Sequence, residues 1–159
     1  MTPANIVGMA VIKGLDLIAV TDHNSCKNGP AVLTMADAYG LTALPGMELT
    51  TSEEVHVVCL FADLKDALAF DEYVYSRLMP IPNNEKIFGK QQLYNANDEV
   101  IGTIPNLLIN ATDISFDDVF DLTKDYHGIM IPAHTDQTAN SLLANPGFIP
   151  PDSRLTCVE

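Results

Sequence analysis

Three imidazoles and one carboxylate draw notice by where they fall in the chain. His23 follows the apolar run Leu-Asp-Leu-Ile-Ala-Val at 15–20, and Glu48 comes just after Pro45 and Gly46. His56 lies inside Glu-Val-His-Val-Val-Cys-Leu-Phe at 54–61, and His134 follows Ile-Pro-Ala. Neutral imidazole and carboxylate are donors for Zn, Mn or Fe, and the two oxygens of a carboxylate can bridge two ions. Strand ends are where an α/β enzyme gathers such groups. No pair has the close spacing of His-Glu-x-x-His, so spacing by itself is a weak metal signal. A lone histidine at a strand end is more often a hydrogen-bonded structural residue, and Glu48 is equally readable as a solvated loop carboxylate. His56 differs, because an imidazole among large apolar residues needs a polar partner or an ion.

Other titratable residues carry weaker readings. Asp22 adjoins His23 and could orient a ligating imidazole, though neighbours on an extended chain point apart. Asp136 stands beside His134 but reads equally well as a helix cap. His127 precedes Gly128 at an expected helix end, where the helix dipole accounts for it. Cys26 invites a Cys/His nucleophile reading, yet its acidic surroundings would raise its pKa and no orienting group is evident. The sequence has no GxxxxGK[ST], GxGxxG or GxSxG, which argues against a P-loop, a dinucleotide fold and a standard serine hydrolase.

The segments that must carry these residues alternate between helix and strand. Thr2 and Pro3 read as the start of a helix that runs to Gly14, followed by a strand over 15–20. Pro30 opens a second helix closed by Gly40, and 41–44 reads as a short strand stopping at Pro45 and Gly46. The next strand is expected over 54–61, with Asp63 capping the helix after it. Residues 80–105 break the pattern and read as an insertion with a small hairpin. Ser115 and Asp118 pair at the start of a last helix that ends at Gly128, before a strand over 129–131. Residues 155–158 read as one more strand. This alternation predicts a parallel α/β sheet or barrel.

With 159 residues, 47% hydrophobic and 18% charged, the chain fits one folded domain over 1–159. Eight Lys and Arg against 21 Asp and Glu leave a formal charge of −13. That charge repels phosphate backbones and anionic lipid, so a basic nucleic-acid groove is excluded and no membrane partner is expected. Apolar runs fall far short of a bilayer span, no signal sequence is read, and three cysteines without a CxxC fit a reducing cytoplasm. A helix with no strand before it and an apolar run stopping at Glu159 lead to the expectation that elements are missing at each end.

The ordered set Ala-Val-Thr-Asp-His-Asn (19–24), Pro-Gly-Met-Glu-Leu (45–49), Glu-Val-His-Val-Val (54–58) and Ile-Pro-Ala-His (131–134) resembles the PHP family of polymerase and histidinol phosphatase domains. The resemblance implies a distorted α/β barrel, here partial, that carries divalent Zn, Mn or Fe at its strand ends. It implies metal-dependent hydrolysis of a phosphate ester on a phosphorylated small molecule or nucleotide, with metal-bound water as the attacking group. By the same resemblance His23, Glu48, His56 and His134 would be ligands, Glu48 as a bridge, and Asp22 would support them from behind. The family's opening His-x-His and closing Asp-x-His have no counterpart, so a weakly held ion and impaired activity are expected. The alternative is a non-catalytic PHP-like domain that binds a partner or forms a homo-oligomer.

Overall fold

The computed structural model describes residues 1–147, 154–155 and 157–159. Helix α1 (Pro3–Ile12) leads into strand β1 (Leu17–His23), then α2 (Gly29–Tyr39) and β2 (Thr42–Thr50). Strand β3 (His56–Phe61) and helix α3 (Leu64–Arg77) follow. The insertion holds a one-turn helix α4 (Glu85–Phe88) and the hairpin β4 (Gln92–Tyr94) and β5 (Val100–Thr103). Helix α5 (Phe116–Asp125) and strand β6 (Gly128–Pro132) complete the elements. The hairpin insertion expected near 80–105 is present, and α4 within it was not anticipated. No helix among the described residues is long and apolar enough to cross a membrane.

The main sheet has the order β1-β2-β3-β6 and is open. Its directions differ from the parallel arrangement expected. β1 and β2 are parallel, whereas β3 is antiparallel to both β2 and β6. The reason lies at Pro45 and Gly46, whose types predict a stop but which lie inside β2. The β2–β3 pairing begins at Gly46↔Leu60, so Pro45 precedes it and its missing N–H costs the β3 ladder nothing. Gly46 is required there: a Cβ would lie 2.6 Å from the Cys59 carbonyl oxygen and 2.8 Å from Leu60. With β2 extended to Thr50, only a short turn remains before His56, and a short turn joins antiparallel strands. Glu54, expected at a strand start, instead takes φ 60 in that turn.

Alternation along the strands gives the sheet two unlike faces. Met47, Leu49, Val57, Cys59, Phe61 and Met130 point to the face covered by α3 and α5, where they join Phe70, Val74 and Val119 in the core. Ile18, Val20 and Ala43 pack against a smaller cluster from α1 and α2. The opposite face carries Leu17, Leu44, Val58, Leu60, Ile129 and Ile131, none fully buried, with Leu17 and Ile129 at 54% and 58% exposure.

Local signals hold the elements in place. Asp98, from the β4–β5 turn, caps α1 by accepting from Ala4 N at 3.0 Å and from Thr2 Oγ1 at 2.5 Å. Asp63 caps α3 by accepting from Lys65 N. α5 ends one residue earlier than expected, because His127 at φ 58 takes the left-handed position assigned to glycine. Gly128 instead opens β6, where a Cβ would lie 2.6 Å from the Phe61 ring. Leu155 and residues 157–158 form no strand, and Thr156 lies outside the described residues. Glu159 N nevertheless donates to the Pro132 carbonyl at 3.0 Å.

Gly46→Ala is expected to destabilise the chain by about 1–3 kcal/mol, because the contact is with backbone that cannot swing aside. Urea denaturation of the wild type and variant measures the difference.

Candidate metal centre

Strand direction explains how distant residues meet. β1, β2 and β6 run one way and β3 the other, so three C-terminal ends and one N-terminal start share a rim. His23 is the last residue of β1 and pairs with Glu48. His56 opens β3 opposite Thr50, two residues past Glu48 and therefore on the same face. His134 sits two residues beyond β6 at φ 33. Ala133 N donates to the His56 carbonyl at 3.0 Å and His56 N to the Asn140 carbonyl at 2.9 Å, which ties the post-β6 loop to β3.

The three imidazoles surround the Glu48 carboxylate. Oε1 of Glu48 lies 3.0 Å from His56 Nδ1 and 3.4 Å from His134 Nε2. Those two nitrogens are 3.2 Å apart. His23 Nδ1 is 3.7 Å from Oε2. Two donors held about 2.1 Å from one ion at the tetrahedral angle lie about 3.4 Å apart. The triangle of Glu48 Oε1, His56 Nδ1 and His134 Nε2 has edges of that size. His23, Glu48 and His56 also present ligand atoms all within 4.8 Å of one another. His23 Nδ1 and His134 Nδ1 are buried with no hydrogen-bond partner. The donor set thus fits a divalent cation on geometry and on the unsatisfied Nδ1 of His23.

The electrostatics agree with a neutral His23 beside an ionised Glu48. Hydrogen bonding with His56 holds Glu48 below the usual carboxylate range, against the opposing effect of its burial. Burial lowers the pKa of His23, outweighing the pull of Glu48. Metal ligands require these same protonation states.

Two buried polar residues to which the sequence assigns no role of their own set the rim. Asn24 is fully buried at φ 47, a backbone position Asn tolerates better than most residues. Its Nδ2 donates to the carbonyls of Leu108 and Asn110 at 2.7 and 2.8 Å, and its Oδ1 accepts from Thr50 N at 2.8 Å. Asp71 of α3, 1% exposed, accepts from Ser25 Oγ at 2.9 Å and Cys26 N at 2.7 Å, with Lys27 Nζ at 3.5 Å. Together they fix the chain immediately after His23. The one available signal was the run Thr-Asp-His-Asn itself, since Asn at a strand end favours a left-handed turn.

The remaining expected residues fall elsewhere. The Asp22 carboxylate accepts from Asn28 Nδ2 at 3.0 Å, so its direct contact is with α2's N-cap residue. Asp136 is exposed. Cys26 is buried with its thiol pKa raised by burial and by Asp71, and burial pushes Cys59 to about 12. Neither thiol is suited to nucleophilic work. His127 pairs with Asp66 at 3.0 Å on the surface, away from the rim.

No family model matches the sequence. An uncharacterised protein of Methanocaldococcus jannaschii is 30% identical over 73 residues, which cover 45% of this chain and 43% of that protein. Three solved structures share the fold at 16% identity. A candidate metal-dependent phosphoesterase from Bifidobacterium adolescentis matches with a TM-score of 0.58 over 86% of this chain and 63% of its own. A lesion-specific endonuclease from Pyrococcus furiosus matches at 0.60 over 89% and 32%. An amidohydrolase from Chromobacterium violaceum, solved with sulfate and without metal, matches at 0.54 over 84% and 62%. The chain spans less than two-thirds of the length of each of these proteins. At that identity the likeness is one of fold.

Asn24→Ala leaves two carbonyls and an amide without their partner and is expected to cost about 2–4 kcal/mol, read by urea denaturation. A second expectation concerns pH. His23 and Glu48 both titrate below their ordinary values of 6.5 and 4.5. The unfolded chain therefore holds protons that the folded chain has released, and stability of the metal-free chain rises with pH. Stability is expected to fall as pH drops below about 6.5 through His23 and again below about 4.5 through Glu48. Urea midpoints across this range check it, with His23→Gln losing less than the wild type in the upper step.

Proposed function

We propose that this chain is a PHP-type domain whose open sheet is an arc of a distorted barrel and whose rim holds a divalent cation for phosphoester hydrolysis. Glu48, His56 and His134 would hold the ion, with His23 beside the second oxygen of Glu48. The observation that carries the reading is the triangle of donor atoms with edges of 3.0, 3.2 and 3.4 Å. A mixed nitrogen and oxygen set of this kind suits Zn, Mn or Fe. Such a cation, when bound, lowers the pKa of water toward neutrality and offsets charge on a phosphoryl oxygen.

The chain's own residues do the rest. His56, 6% exposed, is held by backbone bonds on both sides and gives the ion a dry, rigid wall. Glu48 supplies the negative charge and keeps it at low pH because His56 favours its ionised form. His23 is the most exposed of the four at 37% and faces the side from which a substrate can approach. A net charge of −13 repels phosphate, so an ion at the rim is also what makes an anionic substrate welcome. A phosphorylated small molecule or nucleotide is the substrate class. The shared fold with a candidate phosphoesterase and an endonuclease supports the reading. The buried thiols Cys26 and Cys59 fit a reducing compartment, and the cytoplasm belongs to the same proposal.

A second reading rests on the sheet face that no described helix covers. Exposed apolar residues there, Leu17 and Ile129 among them, and the β1 edge, which no other described strand joins, favour a non-catalytic domain that binds a partner or a second copy.

Titration with Mn or Zn, followed by calorimetry, tests the first reading. His56→Ala and Glu48→Gln are each expected to weaken binding by at least about tenfold. With Mn present, hydrolysis of bis(4-nitrophenyl) phosphate is expected and is lost in His56→Ala. Equal metal affinity in wild type and both variants overturns the site. Metal binding without turnover, together with a dimer in light scattering, favours the second reading.

A further inference from the structure

A cavity of about 370 Å3 opens beside His23, between the segment after β1 and the 80–105 insertion. Its size falls in the range of about 300–1,000 Å3 typical of small-molecule sites. His23 lines it, so the cavity is continuous with the rim where the cation would sit. Its far wall comes from the insertion, through Phe88, Lys90 and Tyr94, and its floor from Ile104, Leu107 and Leu108. Lys90 is the one lysine or arginine among the described lining residues, in a chain with eight.

The walls are built from committed hydrogen bonds. Asn28 joins the two sides: its Nδ2 donates to Asp22 Oδ2 at 3.0 Å and its Oδ1 accepts from Tyr94 N at 3.0 Å. Gln91 spends its amide on the floor, donating to the carbonyls of Ile104 and Asn106 at 2.9 and 2.7 Å and accepting from Leu108 N at 2.8 Å. Asn24 grips the Leu108 and Asn110 carbonyls from the rim. Tyr94 is itself oriented, its hydroxyl donating to Gln92 Oε1 at 2.9 Å. Tyr94 and the apolar floor are therefore held in fixed relation to His23, with Phe88 and Lys90 beside them.

We infer that this cavity receives the leaving group of the phosphoester, a nucleoside-sized group with a flat ring and hydrogen-bonding edges, that Tyr94 and Phe88 determine specificity for it, and that Lys90 attracts the phosphate it carries. The inference rests on the metal reading above for the position of the phosphate. Flat rings gain from aromatic faces whatever their sequence of polar edges, while apolar floor residues exclude water beneath them. The Asp22 carboxylate and the Gln92 amide, both lining the cavity, offer acceptors and donors to a ring or sugar edge. Lys90 offers a mobile positive charge to a phosphate arriving in an otherwise acidic field.

The probes are adenosine, ribose and AMP, titrated by calorimetry against the full chain with and without Mn. Adenosine is expected to bind the metal-free chain, and ribose not to. Tyr94→Leu, which keeps bulk and removes the ring face, is expected to weaken adenosine by at least about tenfold with Mn affinity unchanged. With Mn bound, AMP is expected to bind more tightly than adenosine, and Lys90→Ala to reduce AMP affinity while leaving adenosine alone. No adenosine binding, equal affinity in Tyr94→Leu, or equal binding of AMP and adenosine in Mn overturns the inference. Failure of the wild-type chain to bind Mn while adenosine still binds would overturn the metal reading instead and leave a ring-binding cavity.

Discussion

An ionised carboxylate ringed by three imidazoles is the constraint around which the rim is organised. Glu48 Oε1 lies within 3.4 Å of two imidazole nitrogens, which themselves are 3.2 Å apart. A single proton between His56 and its neighbours can serve one of these contacts at a time. A cation at their centre would satisfy them together, and the unpartnered Nδ1 of His23 is consistent with a donor arranged for one. Burial lowers the pKa of His23, and hydrogen bonding with His56 does the same for Glu48, so both groups hold a ligand's protonation state.

Stability and chemistry are divided between the two sides of one sheet. The covered face supplies the packed interior, where Met47, Leu49, Val57, Cys59 and Phe61 meet α3 and α5. The other face carries His23, Glu48 and His56 at one end and half-exposed apolar residues along the rest. Because strand side chains alternate, each strand serves both purposes at once, and a slip of one residue would exchange them. Gly46 guards that register, since a side chain there would meet the neighbouring backbone.

Short polar side chains then hold the rim to the rest of the molecule. Asn24, Asp71 and Asn28 each bridge segments far apart in sequence, and Asp98 ties the insertion to the start of α1. Such residues are costly to bury without partners, so each marks a place where backbone geometry is closely specified. The insertion is thereby an integral wall of the cavity beside His23.

Helices α1, α2, α3 and α5, the strand carrying His56 and the hairpin insertion were all legible from caps, glycines and apolar runs, because those signals are local. The four rim residues were also legible, as polar groups placed at strand ends. Hidden from the sequence were the length of β2 and the antiparallel course of β3, since Pro45 and Gly46 act as punctuation in isolation and as strand residues only when their neighbours are known. Asn24 and Asp71 were equally hidden, their partners lying 26 to 86 and 45 to 46 residues away. The sequence by itself determined which side chains have the chemistry of ligands and which segments are helix or strand, both short-range properties. Only the tertiary structure decided that these side chains face one another, because convergence depends on strand direction and register, which contacts distant in sequence impose.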